Sequence, residues 1–220
     1  MNSSKFTLAL AALVSTAGPV LAGDAPLTAN IGVVSNYMWR GLTQTQDGAA
    51  VQGGLDYAHE SGFSLGTWVS NVDWGTTKPS YELDLYGGYG GKVGDFGYNL
   101  TTTYYAYPDG RDSNLWELGA SGTWNVLTIG LAYTLDGQAS SGNPYREGDM
   151  YYYGSLSFDL PMGFKLGGTL GHYDFTDFGS VADYTHWQIS ASKEVGDFGT
   201  FSVTAQAAEK GTIFPGVKNG

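Results

Sequence analysis

The sequence predicts an all-β protein, an antiparallel up-and-down transmembrane β-barrel, with eleven strands readable and twelve expected. Three observations carry that expectation. Strand-like segments of alternating polarity are joined in pairs by turns of a few residues, near Ser61-Gly62, Gly94-Asp95, Asn125-Val126, Pro161-Met162-Gly163 and Gly196-Asp197. Longer polar connections separate the pairs, over 43–49, 73–80, 108–113, 137–148 and 174–183. Clipped turns on one side and long loops on the other are the pattern of a membrane barrel, and a β-sandwich has no reason to keep it. Finally, Phe63, Phe96, Phe164 and Phe198 each stand where a strand leaves a tight turn. Four aromatic rings at one height would form part of an interfacial girdle.

The chain begins with a segment read as a secretory signal, residues 1–22, ahead of a barrel domain over 23–220. Lys5 supplies its positive end, Phe6 to Ala17 its apolar stretch and Val20-Leu21-Ala22 a small-residue cleavage site. The apolar stretch is too short to span a bilayer as a helix. Beyond it no apolar run approaches a membrane helix in length, so a membrane reading of this chain must be a β one.

Four segments show the alternation most clearly. The third sets Phe63, Leu65, Thr67 and Val69 against Ser64, Gly66, Trp68 and Ser70. In the fourth, Tyr81, Leu83 and Leu85 alternate with Glu82, Asp84 and Tyr86. The seventh opposes Leu127, Ile129, Leu131, Tyr133 and Leu135 to Thr128, Gly130, Ala132, Thr134 and Asp136. The last sets Phe201, Val203 and Ala205 against Ser202, Thr204 and Gln206. Successive strand side chains point to opposite faces, so each segment has an apolar and a polar side. The segments are also long for a soluble sheet. A strand of ~10 residues rising ~3.3 Å each and tilted by ~40–45° covers roughly the 25 Å of an outer-membrane apolar band.

Composition fits a curved, aromatic-rich sheet. There are 34 glycines, 16 tyrosines and 6 tryptophans. Glycines inside strands, as in Gly87-Gly88-Tyr89-Gly90-Gly91, weaken a strand but permit curvature and close packing. Without residues 1–22 the charge is −12, nine basic against 21 acidic residues. That balance excludes nucleic acid as a partner, because phosphate binding needs Lys and Arg clusters. There is no cysteine, so stability must come from something other than disulfides, such as a closed hydrogen-bonded ladder. The repeated pentapeptides Val93-Gly94-Asp95-Phe96-Gly97 and Val195-Gly196-Asp197-Phe198-Gly199 read as one turn solution used twice.

Candidate chemistry is sparse. Gly62-Phe63-Ser64-Leu65-Gly66 matches the G-x-S-x-G pattern but lacks its strand–turn–helix setting. His172 and His186 flank the last long loop, where they would approach one another, and His59 belongs near the opposite rim. Asp174, Asp177 and Asp183 make that loop acidic, without the spacing of a calcium loop. No catalytic residue, metal site or cofactor is expected. The polar phase of the strands gives a lumen-facing set: Asn36, Arg40, Gln52, Asp56, Glu82, Asp84, Asn99, Glu117, Ser121, Lys165, His186, Gln188 and Glu194. Acids outnumber bases in it, and carboxylates lining a water path attract cations. Arg40 opposite Asp56 or Glu82 is alternatively a structural ion pair across a narrow interior. Trp68, Tyr105, Tyr151 and Tyr153 share the same phase, and rings of that size fill much of a small barrel.

The first hairpin runs Ser35-Asn36-Tyr37-Met38-Trp39-Arg40-Gly41-Leu42-Thr43-Gln44-Thr45, then Val51-Gln52-Gly53-Gly54-Leu55-Asp56-Tyr57-Ala58-His59-Glu60-Ser61-Gly62-Phe63, then Gly66-Thr67-Trp68-Val69-Ser70-Asn71-Val72. With Glu82-Leu83-Asp84-Leu85-Tyr86, Leu160-Pro161 and Gly163-Phe164, it resembles the TorF-type (Gcw-chp) family of uncharacterised proteobacterial outer-membrane proteins, regarded as porins. The resemblance implies an outer-membrane location, outer-membrane lipid and the barrel-assembly machinery as partners, and no established substrate. Family members usually end in one more strand with a terminal aromatic residue. This sequence finishes Gly211-Thr212-Ile213-Phe214-Pro215-Gly216-Val217-Lys218-Asn219-Gly220, where Pro215 suits no central strand. The expectation is a chain lacking its twelfth strand, or one closed by a parallel first–last pair. Its expected activity is passive passage of small hydrophilic solutes with mild cation preference. The alternatives are a non-conducting structural or interaction barrel and, less well supported, a lipid-modifying barrel enzyme.

Overall fold

A computed structural model describes residues 26–75, 79–139, 144–177 and 182–209. Residues 1–22, read above as a signal, and 211–220, with Pro215, lie outside these, as do parts of three long connections. Among the described residues thirteen strands form: β1 (Leu27–Val34), β2 (Met38–Trp39), β3 (Leu42–Thr43), β4 (Ala50–Ala58), β5 (Phe63–Asn71), β6 (Tyr81–Val93), β7 (Phe96–Ala106), β8 (Leu115–Trp124), β9 (Leu127–Gly137), β10 (Met150–Leu160), β11 (Phe164–Asp174), β12 (Tyr184–Glu194) and β13 (Thr200–Ala208). Eleven of them make one antiparallel meander in the order β1-β4-β5-β6-β7-β8-β9-β10-β11-β12-β13, and β2 pairs only with β3. Among the described residues the sheet is not closed. With ten antiparallel steps between them, its edge strands β1 and β13 run in the same direction.

The polarity of the sheet is that of a membrane barrel. Ile31 is 81% exposed, Leu65 64%, Ile129 62% and Leu170 60%, while Glu82 on the other face is 1% exposed. The outward phase joins Leu27, Val51, Leu85, Leu100, Leu118, Leu156, Ile189 and Val203 into an apolar band, far beyond the patch a water-soluble monomer tolerates. A hydrocarbon solvent removes that penalty, and the ladder satisfies the backbone groups that lipid cannot.

Inside, glycine makes room for rings. A methyl group on Gly66 would fall 2.2 Å from the Tyr86 ring, its direct partner across β5 and β6. One on Gly130 would fall 2.5 Å from Tyr153, its partner across β9 and β10. Ring over glycine in these pairs lets aromatic side chains lie along the wall and allows the sheet to curve.

Three expectations need correction. The first strand does not run through Asn36 and Arg40; it ends at Val34, and residues 35–49 fold inward around the β2–β3 hairpin. Val93-Gly94-Asp95-Phe96 is a two-residue turn, with Val93 paired to Phe96. Its repeat instead forms a single 3-10 turn, Gly196–Phe198, because β12 and β13 pair Glu194 with Thr200 and leave five residues to connect. Phe198 therefore lies in the turn rather than opening a strand, and is 93% exposed. Phe63, Phe96 and Phe164 do open β5, β7 and β11, each with an exposed ring.

The band implies a depth-dependent penalty. Leu100 sits midway along β7 on the apolar face, and Phe198 at the turn rim. Urea titration in lipid bilayers should show Leu100→Arg costing about 2–4 kcal/mol and Phe198→Arg about 0–1 kcal/mol. Equal costs would mean that the turn side is not an interface.

Candidate functional site

The inward hairpin exists because of two residues in left-handed conformation. Arg40 has φ +48° and Gly41 φ +83°, with Trp39 and Leu42 paired across them. Positive φ at both central positions defines a type I′ turn, which matches strand twist but is costly for a residue with a side chain. Three contacts hold this strained arginine. Its two terminal nitrogens each donate to one Glu117 oxygen on β8 at 2.7 Å. Its guanidinium lies 4.3 Å from the Trp39 ring centre and 4.2 Å from that of Tyr151. Burial works against the charge on Arg40, but Glu117 and the neighbouring tyrosines outweigh it and leave its pKa raised.

Glu117 is built to receive it. Tyr105 and Tyr173 each donate a hydroxyl to it at 3.2 Å. Opposite the Trp116–Glu117 step the register shifts by one, leaving Leu135 of β9 as an extra residue. Such bulges re-aim side chains near sites. Trp39, Tyr145, Tyr151, Tyr153, Tyr173, Phe175 and Tyr184 pack around the pair. Gly41 rests on β12: a methyl group there would come within 2.4 Å of the His186 Cβ. His186 bonds Tyr151 through Nε2 at 2.8 Å and stacks on its ring.

A second group lies alongside, on β6. Glu82 and Asp84, two residues apart, share the concave face, 1% and 7% exposed. Tyr107 donates to Glu82 at 3.1 Å, and Tyr37 also hydrogen-bonds it. Burial, then the Glu82 charge, pushes the hydroxyls of Tyr37 and Tyr107 up, so both remain donors. Tyr37 packs edge-on against Trp68 at 5.2 Å. Asn36 anchors the returning chain, accepting from Thr43 at 2.6 Å and donating to Asp47 at 3.0 Å.

The other residues of the expected lumen set fall on the same face as Glu82 but not at this site. Gln52 donates to Ser70 at 3.2 Å. Asp56 accepts from Tyr86 at 2.5 Å and from Asn30 at 3.3 Å. Asn99 is buried, while Ser121 and Gln188 are half-buried. Lys165 and Glu194, 3.7 Å apart, lie at the tight-turn end with their side chains more than half exposed.

Arg40 thus pairs with Glu117, not with Asp56 or Glu82, because the hairpin carries it across the interior rather than along β1. His172 and His186 do not approach: a register offset of one sends His172 outward, onto Thr185 at 2.9 Å, and His186 inward. His59 bonds Ser61 in its own turn. In the acidic loop, Asp177 pairs with Arg146 and Asp183 accepts from the Phe175 N–H. Among the described residues, no group of three or more His, Cys, Asp or Glu side chains is placed to hold a metal.

Against this geometry, a family model described as "Bacterial protein of unknown function (Gcw_chp)" matches residues 20–218. The chain belongs to the Gcw_chp family. No curated protein matches it. Solved structures similar to this Gcw_chp chain include OccAB4 of Acinetobacter baumannii, 13% identical over 84% of this chain and 62% of that one, TM-score 0.41. OccK2 (OpdF) of Pseudomonas aeruginosa in complex with glucuronate is 16% identical over 85% and 63%, TM-score 0.38. A porin solved at 1.8 Å is 13% identical over 82% and 72%, TM-score 0.38. The chain spans about three fifths of the length of the first two. The barrel assignment of this Gcw_chp chain rests on its own meander and exposed apolar band.

Removing one member of the buried pair leaves the other charge uncompensated. Glu117→Ala should cost about 3–5 kcal/mol in urea unfolding, and Arg40→Met with Glu117→Leu should recover most of it. Additive single and double losses would show that the pair does not couple the hairpin to β8.

Proposed function

We propose that this Gcw_chp chain is an outer-membrane porin of the TorF type, exported by residues 1–22 and folded as a barrel over 23–220. It passes small hydrophilic solutes passively, with mild cation preference, and needs no cofactor and no catalytic group. The observation that carries the reading is the sheet's reversed polarity: an apolar outside and a polar inside crossed by one hairpin at its loop end. The polar face leads from the exposed Lys165 and Glu194, past Asn99, Ser121 and Gln188, to the acidic narrows at Glu82, Asp84 and Glu117. Arg40 neutralises one of these three carboxylates, and the remaining charge favours cations. Phe63, Phe96, Phe164 and Phe198 serve as the girdle at the tight-turn interface, assigned to the periplasmic side. Outer-membrane lipid and the barrel-assembly machinery are the partners this reading requires.

One observation favours a second reading, a non-conducting structural barrel. The aromatic cluster around Arg40 fills the loop half of the interior with side chains buried as deeply as a soluble core.

Planar-bilayer recording separates the two. In a salt gradient the porin gives single-channel steps and a reversal potential of cation-selective sign, reduced in Glu82→Gln with Asp84→Asn. Folded protein without steps would establish the structural reading, and an anion-selective potential would overturn the charge argument. Gly41→Ala, which drives the hairpin off His186, should raise the conductance of a pore narrowed at that point.

A further inference from the structure

We propose that Glu82 and Asp84 form a binding site for one hard divalent cation, of the calcium or magnesium class, inside the narrows. The inference rests on the pore reading for its role, because the ion would sit beside the solute path.

The argument begins with hydrogen bonds. Glu82 Oε1 receives the Tyr107 hydroxyl, but Oε2 has no donor, and neither has Asp84 Oδ1. Both atoms are buried in side chains 1% and 7% exposed. The two carboxyls are nonetheless within hydrogen-bonding reach of each other. Two ionised carboxylates brought together repel unless a proton or a cation lies between them.

The neighbouring elements do not supply it. Ser70 and Trp68 of β5 stand opposite Glu82 and Asp84, and Tyr105 of β7 stands opposite Asp84. Tyr37 and Tyr107 approach from the connections and bring hydroxyls without charge. The nearby guanidinium, Arg40, spends both terminal nitrogens on Glu117. With both ionised, the pair carries two negative charges with no positive side chain committed to it, and burying such charge unpaired costs several kcal/mol per ion.

The donor set selects the ligand. Four carboxylate oxygens and two phenol oxygens are hard donors, without sulfur or imidazole, and suit calcium or magnesium completed by water. Two carboxylates balance a charge of two, which sodium or potassium leaves half compensated.

The test uses the full barrel refolded in detergent micelles, titrated with CaCl2 or MgCl2 against NaCl at equal ionic strength. Tryptophan fluorescence and the thermal midpoint are followed, with circular dichroism confirming that each variant is folded. We expect a saturable fluorescence change and a rising midpoint with the divalent salt. Both should vanish in Glu82→Gln with Asp84→Asn, whose amides supply the missing donors. Persistence of the response in that variant would overturn the site, placing the ion on surface carboxylates. So would a wild-type midpoint that responds to pH but not to divalent salt, which would show a shared proton. Binding is read without conductance. A barrel that binds but does not conduct therefore keeps the site and loses the porin, and one that conducts without binding does the reverse.

Discussion

The bidentate pair between Arg40 and Glu117 ties together parts of the chain 77 residues apart, and the interior is arranged around it. A type I′ turn with arginine at its first central position is a poor local choice, since left-handed backbone costs such a residue about 1–2 kcal/mol. Two charge-assisted hydrogen bonds and the stacked rings of Trp39 and Tyr151 offset that strain. The consequences spread outward. The bulge at Leu135, the hydroxyls of Tyr105 and Tyr173, and the bare surface of Gly41 against His186 all make sense once Arg40 must reach Glu117. Burying the pair costs desolvation, so its value lies less in stability than in fixing where residues 35–49 go.

The sheet supplies a frame in which that is possible. Its hydrogen bonds are satisfied strand to strand, so the outer face is free to be apolar and the inner face free to carry chemistry. Glycine then decides how much of the interior is open. Where Gly66, Gly130 and Gly171 stand opposite rings, the ring lies down along the wall instead of across the lumen. Rings project furthest inward at the loop half, where Tyr145, Phe175 and Trp39 come from connections and the hairpin rather than from the wall.

Period-two alternation made the wall legible in the sequence. All five tight turns stand where they were expected, and Gln52, Asp56, Glu82, Asp84, Asn99 and Glu117 lie on the less exposed face of the sheet. The hairpin was not legible, for a physical reason. Met38-Trp39-Arg40-Gly41-Leu42 continues the alternation of β1 well enough to pass as more strand, and its turn lacks the Asn-Gly or Asp-Gly signature. The signal that could have revealed it is Gly41 directly after a bulky cation, where a central strand has little use for glycine. Tyr37, Tyr107 and Tyr173 escaped notice in the same way. Phenols in or beside strands look like wall residues until the carboxylates they serve are located.

Whether the packed loop half stops a pore or narrows one turns on how the filling is attached. Side chains rooted in the wall, such as Tyr151 and Tyr173, can move only by changing rotamer. The Arg40 hairpin is different: its two two-residue strands pair only with each other, and one backbone bond, from the Asp73 N–H to the Gln44 carbonyl, ties its base to the connection after β5. Its tip is held to the wall by the Glu117 pair and the stacked rings, while the Asn36–Thr43 and Asn36–Asp47 bonds tie its own two arms together. A plug required only for stability gains nothing from such separation and would be better paired into the sheet. A constriction that sets charge and width gains a great deal, because the selective residue can be held away from the wall. That detachment, with two further carboxylates beside it and one guanidinium among the three, favours a selective narrows over an inert filling.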